Sequence, residues 1–148
     1  MNNLREVVPG DLGSIMELEQ YAPLPAWSPS SWLEESTKHH VVVADTQPIV
    51  AVISLGLVSG TAEVRRVVVL PEHRRQGWGR SLMEYAHLWA ENSGATEIFL
   101  EVSTGNEAAL GLYRAMGFHD VSLRRDYYGP GDDAVVMCLS LDDTREVS

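Results

Sequence analysis

Apolar and polar positions change period several times along the chain, and each change marks an element. Residues 4–8 read as a short strand. Leu12, Ile15, Met16 and Glu19 recur at near-helical spacing, which predicts a helix to about residue 20 with Asp11 as its cap. The run from Tyr21 to Trp27 is proline-containing and reads as an irregular loop. Ser28-Pro29 is a helix start, with Ser as cap and Pro at the first helical position, and that helix carries Trp32 and Leu33. Three strands follow: residues 40–45, residues 49–58 and residues 62–70, the last containing Val64 and Val67 to Val69. Gln47-Pro48 and Ser59-Gly60 read as the turns of an antiparallel meander. Residues 77–93 place Leu82, Met83, Ala86, Trp89 and Ala90 on one helical stripe, stopped by Gly94. Residues 97–102 form a strand. Asn106 caps a short helix that ends at Met116, with Gly117 as terminator. Residues 118–127 and 134–141 are two closing strands, paired through Gly129-Pro130-Gly131.

The order is strand, two helices, three strands, helix, strand, helix, two strands. It predicts a mixed α/β (α+β) architecture: a sheet of about six to seven strands, mostly antiparallel, with helices on both faces. The strands flanking the helix at 77–93 are expected to be parallel, because a strand–helix–strand crossover demands it. The length, 148 residues, fits one domain over 1–148. Cys138 is the single cysteine, so no intramolecular disulfide forms, and an inert buried thiol is expected. No apolar run reaches the roughly 20 residues of a membrane span, and the first residues lack the apolar stretch of a signal peptide. A cytoplasmic protein without a membrane partner is expected. The formal net charge of -10 disfavours nucleic acid; it either only confers solubility or also draws in cationic partners. The five histidines show no metal spacing, so no metal is expected. The pattern does not identify exposed strand edges, so the oligomeric state stays open.

The most informative segment runs from Val67 to Met83. A strand ends near Leu70, and a basic, glycine-containing loop leads directly into a helix. Glycine lets backbone approach a ligand closely. Free amides at a helix start, with the helix dipole, form an anion site. Arg74, Arg75 and Arg80 add positive charge to an acidic chain, and a pyrophosphate is the natural guest. The Walker pattern is absent, and Leu82 occupies the third small position of the dinucleotide fingerprint. A basic surface turn that glycine merely permits to bend is the competing explanation.

Arg74-Arg-Gln-Gly-Trp-Gly resembles the Gln/Arg-x-x-Gly-x-Gly/Ala motif of the GCN5-related N-acetyltransferase (GNAT) superfamily. Asn106-Glu-Ala-Ala-Leu-Gly-Leu-Tyr-Arg-Ala-Met-Gly-Phe is similar to the Asn-x-x-Ala-x-x-Leu-Tyr-x-x-x-Gly-Phe segment of that superfamily. The resemblance covers about residues 4–141. It implies a GNAT-like fold and transfer of an acetyl group from acetyl-coenzyme A to an amine. It also implies that Arg74, Arg75, Gln76, Gly77, Trp78, Gly79 and Arg80 cradle the pyrophosphate, while Val67, Val68 and Val69 lie along the pantetheine arm. Within the superfamily the chain is similar to the RimI-like group, which acetylates the N-terminal alanine of a ribosomal protein. Trp27-Ser, Leu100-Glu-Val, Arg125-Asp-Tyr-Tyr and Asp133-Ala-Val-Val-Met carry that likeness. The chain departs from the group at Arg66-Val-Val-Val, where Asn-Ile-Ala-Val is usual, and at Ser103, where Arg is usual.

An ammonium has no lone pair, so direct transfer needs a base for the amine and an acid for the departing thiolate. By the resemblance, Glu101 is the base, directly or through water, and Tyr113 is the acid. On the residues alone, Glu101 is equally a strand carboxylate facing solvent or paired with Arg66 or Arg124, and Tyr113 a core tyrosine against Phe118. Asn106 caps its helix, and the resemblance adds a contact to the cofactor. Tyr127 and Tyr128 resemble peptide-gripping aromatics or are sheet packing. Trp27 either walls the acceptor pocket or belongs to the core. The leading expectation is acetylation of a protein N-terminal α-amine. A small-amine or lysine acetyltransferase and a non-catalytic acetyl-coenzyme A-binding module are the alternatives.

Overall fold

The computed structural model describes residues 2–23 and 25–141. The strands are β1 (Leu4–Glu6), β2 (His40–Ala44), β3 (Ala51–Val58), β4 (Thr61–Val69), β5 (Glu97–Ser103), β6 (His119–Gly129) and β7 (Asp132–Ser140). The helices are α1 (Leu12–Glu19), α2 (Pro29–Lys38), α3 (Trp78–Asn92) and α4 (Glu107–Ala115), in the chain order the pattern predicts. The sheet order is β1-β2-β3-β4-β5-β7-β6. β4 and β5 are parallel, as the α3 crossover requires, and the register runs from Thr61↔Glu97 to Glu63↔Phe99.

The described residues fall into two compact units, one within 2–56 and 65–86 and the other within 57–64 and 87–141. In the first, β2 pairs antiparallel with β1 and β3. Ile15 and Leu18 of α1, Trp32 of α2, Val41 and Val43 of β2, Val52 of β3 and Val68 of β4 make one buried cluster. Each such aliphatic side chain contributes about 1.5–3 kcal/mol on burial. Strand alternation points the intervening His40 the other way. Its Nε2 lies 2.6 Å from the Tyr85 hydroxyl of α3. Helices therefore cover both faces of this part of the sheet. The Ser28 hydroxyl accepts from the Ser31 amide at 3.1 Å, as a cap should, and Pro29 is the first residue of α2.

Asp11 does not cap α1, contrary to the sequence expectation. Its carboxylate accepts from both Arg5 Nη atoms at 2.8 and 2.9 Å and from the Val8 amide at 2.8 Å. A 3-10 turn over Pro9–Asp11 precedes the helix instead. A bidentate, charge-assisted pair outcompetes a single neutral amide for the same oxygens. The Arg5 guanidinium accordingly holds the Asp11 carboxyl below its usual range.

In the second unit, β5 pairs antiparallel with β7 from Glu97↔Ser140 to Ser103↔Ala134, and β7 pairs with β6. Ser59 and Gly60, both at positive φ (49° and 83°), turn the chain from β3 into β4. The Asn106 Oδ1 accepts from the Ala109 amide at 3.2 Å and caps α4 as expected. Gly117 sits at φ 100°, and a Cβ there would come within 3.2 Å of Leu139. Cys138 is buried, and burial pushes its thiol up to about 11.

Candidate active site

The loop between β4 and α3 lies in the first unit. Ser81 N–H donates to the Gly77 carbonyl at 2.9 Å, which starts α3. The amides of Trp78, Gly79 and Arg80 therefore have no helical partner, and the positive end of the helix dipole lies there. Arg75 and Gly77 both adopt positive φ, 67° and 82°. Alternating left- and right-handed residues turn successive amides inward as an anion-binding nest. Left-handed backbone at a non-glycine residue costs about 1–3 kcal/mol, a strain typical of ligand clamps. Arg74, Arg75, Gln76 and Arg80 are exposed, with no carboxylate among their described ion pairs. The Asn2 side chain donates to the Gln76 carbonyl at 3.0 Å and steadies the loop. The Trp78 side chain is buried. This set of amides and guanidinium groups fits a pyrophosphate.

Val67 and Val69 are half-buried and Val68 is buried in the cluster beneath α1 and α2. β4 thus continues to Val69 past Glu63, the last residue in register with β5.

Arg66 Nε donates to Glu19 Oε1 at 3.1 Å and its Nη2 pairs with Glu19 Oε2; of the two arginines left open as partners of Glu101, Arg124 is the one found paired with it. The Arg66 and Glu19 side chains are both buried. Strand alternation places Arg66 on the same face as Ala62, Val64 and Val68, so the helices above bury it, and Glu19 at the end of α1 is the carboxylate there. Removing one partner of a buried pair typically costs about 3–5 kcal/mol. The neighbouring Arg65 pairs with Glu35 of α2, which also accepts from the Ser54 hydroxyl at 2.6 Å. Sequence reasoning missed both networks. The signals existed: Glu19 sits on the apolar stripe of α1, and Arg66 interrupts the buried parity of β4.

The Trp27 ring lies 4.9 Å from that of Trp32, and the half-buried indole also lines a cleft of about 270 Å³ with α2 residues, His39 and Arg65.

The second unit holds Glu101. Along β5, Ile98, Leu100 and Val102 are buried while Glu97, Phe99, Glu101 and Ser103 face the half-exposed side. Arg124 Nε lies 3.1 Å from Glu101 Oε2, and the Tyr127 hydroxyl donates to Glu101 Oε1 at 3.4 Å. A bulge in β6 brings these groups in. The β6–β7 register shifts between Arg124 and Gly129. Asp126 takes φ 54°, its amide donates to Asp133 at 2.8 Å, and its carboxylate accepts from the Gly131 amide at 2.7 Å. Bulges of this kind re-aim side chains beside functional sites. The Tyr127 and Tyr128 rings meet edge-on at 5.0 Å. Burial, and then the Glu101 charge, push the Tyr128 phenol up to about 12; the same causes raise Tyr127. Both phenols are therefore donors at neutral pH. Ser103 donates to Asp132 rather than standing as a free hydroxyl.

Tyr113 is buried on α4, its ring 6.0 Å from Phe118, and burial raises its phenol to about 12. Among the described residues, no three His, Cys, Asp or Glu side chains gather as a metal site. No helix among them is long and apolar enough to cross a membrane.

Comparison with known proteins agrees with this geometry. Residues 10–118 match the model of the acetyltransferase (GNAT) family. The chain is 30% identical to the [ribosomal protein bS18]-alanine N-acetyltransferase of Escherichia coli over 146 residues, 95% of this chain and 99% of that protein. It is 37% identical over 76 residues to an N-alpha-acetyltransferase of Sulfurisphaera tokodaii, covering 51% of this chain and 46% of that one. The crystal structure of the ribosomal-protein alanine N-acetyltransferase from Escherichia coli superposes with a TM-score of 0.85 at 28% identity, over 95% of this chain and 94% of that one. With a glycine-containing loop opening α3, a seven-stranded mixed sheet and these likenesses together, the chain belongs to the acetyltransferase (GNAT) family and is an N-acetyltransferase that takes its acetyl group from acetyl-coenzyme A.

Proposed function

We propose that the protein acetylates the N-terminal α-amine of a protein substrate, with residues 1–148 acting as one catalytic domain in the cytoplasm. The observation that carries the reading is Glu101 beside the Tyr127 hydroxyl and Tyr128 on the bulged β6, a carboxylate with two aromatic walls suited to an extended peptide's terminal ammonium. The two relatives named for α-amine or alanine acetylation support it. So does the chemistry: an α-amine has a pKa near 8 against about 10.4 for lysine, so a carboxylate deprotonates it more readily. The units share β3, β4 and α3, which supports one domain. A lone thiol suits a reducing compartment.

In this reading, acetyl-coenzyme A supplies the thioester. The amides of residues 77–80 and the guanidinium groups of Arg74, Arg75 and Arg80 hold its pyrophosphate. Val67–Val69 offers main-chain groups to the pantetheine arm, and Asn106 contributes its amide beyond its capping bond. Glu101 receives a proton from the ammonium, directly or through water. The nitrogen then attacks the carbonyl carbon, the C–S bond breaks, and the nitrogen gives up its second proton to water. Tyr113 donates a hydrogen bond to the departing sulfur, which leaves as the thiolate and takes its proton from water. Replacing Gly77 by alanine tests the cradle: at φ 82° a Cβ is strained by about 1 kcal/mol. The expected result in steady-state kinetics is a KM for acetyl-coenzyme A raised about tenfold, with an unchanged KM for the acceptor.

The test of the function is intact-mass spectrometry on synthetic peptides incubated with the enzyme and acetyl-coenzyme A. Peptides with free Ala, Ser or Met termini are compared with α-blocked peptides that contain lysine. One acetyl group gained only on free termini, most on Ala, is the expected result. Acetylation of the blocked set would make the enzyme a lysine acetyltransferase. No modification of either set would turn the search to small amines, or to a module that only binds acetyl-coenzyme A.

A further inference from the structure

We infer that Asn2 is a positioning residue for acetyl-coenzyme A: its bond to the Gln76 carbonyl fixes the Gln76–Gly77 peptide with the N–H turned into the anion cradle. The inference rests on the reading that residues 74–80 hold the pyrophosphate.

Asn2, His73, Gln76 and Gly77 all lie in the first unit. The Gln76–Gly77 peptide is trans. A trans peptide is planar, so its C=O and N–H point in opposite directions. Asn2 Nδ2 donates to the Gln76 carbonyl at 3.0 Å, and the Gly77 N–H therefore leaves the peptide on the side away from Asn2. Among the described residues that N–H has no acceptor. It joins the amides of Trp78, Gly79 and Arg80, which lack helical partners.

The competing arrangement is the same peptide turned over. It would set a carbonyl dipole against the pyrophosphate and withdraw one donor. Turning it over reverses the sign of φ at Gly77, now 82°, and glycine takes both signs about equally well. The residue that lets backbone approach an anion thus also leaves this peptide free to flip. The second bond to Gln76 does not prevent it: His73 Nδ1 lies 3.0 Å from Gln76 Oε1, which holds the side chain and not the peptide. Asn2 supplies the missing constraint. A Cβ built on Gly77 would lie 3.4 Å from Asn2 Nδ2, so the Asn2 amide packs on the peptide itself. Asn2 is fixed in turn by the sheet. The Asn3 carbonyl accepts from the Asp45 amide at 2.8 Å, and β1 begins at Leu4. One bond across 74 residues thus ties the cradle to the edge strand.

The test compares wild type with Asn2→Leu, which keeps the size and removes the donor. Acetylation of whichever amine the wild type uses is followed, with inorganic pyrophosphate and pantetheine as separate competitors of acetyl-coenzyme A. Asn2→Leu is expected to raise the KM for acetyl-coenzyme A and the Ki of pyrophosphate about fivefold each, the scale of one lost hydrogen bond. The Ki of pantetheine, the acceptor KM and kcat should keep their wild-type values, because pantetheine does not reach the cradle. A pyrophosphate Ki that stays at its wild-type value overturns the inference, whatever the KM does. So does a rise in the Ki of both competitors with a lower Tm, which marks a loosened β1 rather than a turned peptide. A wild type that pyrophosphate does not inhibit removes the cradle reading itself, and this inference with it. Should Asn2→Leu not fold, Asn2→Ala is read by the same criteria.

Discussion

Replacing Tyr113 by phenylalanine is expected to lower kcat by about 10²-fold while leaving the fold and both KM values close to wild type. The ring stays where it packs, 6.0 Å from Phe118 on the buried side of α4, so only the hydroxyl is lost. The phenol stands at about 12 because burial disfavours its anion. It is therefore protonated at neutral pH. Against a thiol of ordinary pKa, about 8.5, such a phenol keeps its proton, and its contribution is the hydrogen bond to the sulfur as negative charge develops. A hydrogen bond to a charged group is worth about 1.5–3 kcal/mol, which sets the size of the loss. A wild-type kcat in the variant would reduce Tyr113 to a core residue. The same shift predicts a stability effect with a definite sign. The unfolded chain releases this proton near pH 10 and the folded chain near 12, so stability is intact below pH 10 and falls as pH rises toward 12. About two units at 1.36 kcal/mol each give a loss of about 3 kcal/mol, which the phenylalanine variant should not show in denaturant titrations.

The elements legible in the sequence are those decided within a few residues. Ser28-Pro29, Asn106 and Gly117 act through their own turns, and the structure places each as the spacing predicts. The loop from Arg74 to Arg80 is also local: its chemistry is the start of a helix. What the sequence hides is partner choice over distance. Asp11 looks like a cap until Arg5, folded against it from β1, claims both carboxylate oxygens. Arg66 and Glu19 are separated by 47 residues, and only the packing of α1 over β4 brings them together. The bulge in β6 depends on Asp126 and Asp133 closing onto backbone amides, a choice of register that alternation alone does not reveal. That bulge carries the Tyr127 hydroxyl to Glu101, so the pair is readable as residue types but not as a position.

The largest effect is expected at Glu101. Replacing it by glutamine preserves size and one oxygen for the Tyr127 hydroxyl, but removes the basic site, and kcat/KM at pH 7 should fall about 10²–10⁴-fold. The pH profile separates a base from a merely attractive charge. Without a base, the rate must follow the fraction of acceptor already neutral in solution. For an α-amine of pKa near 8 that fraction rises about tenfold between pH 7 and pH 9. The variant's kcat/KM should climb by that factor, while wild type, which deprotonates the bound ammonium, climbs less. Equal slopes, with the variant simply weaker throughout, would show that Glu101 only attracts the ammonium. Arg124 provides the internal comparison. It forms the ion pair with Glu101 on the open side of β5, and its guanidinium also lies 5.5 Å from the Tyr127 ring. A partner that competes with the ammonium for the same carboxylate opposes substrate binding. Arg124→Ala is therefore expected to lower the acceptor KM without restoring anything to the Glu101→Gln variant, because in that variant there is no longer a charge for Arg124 to occupy.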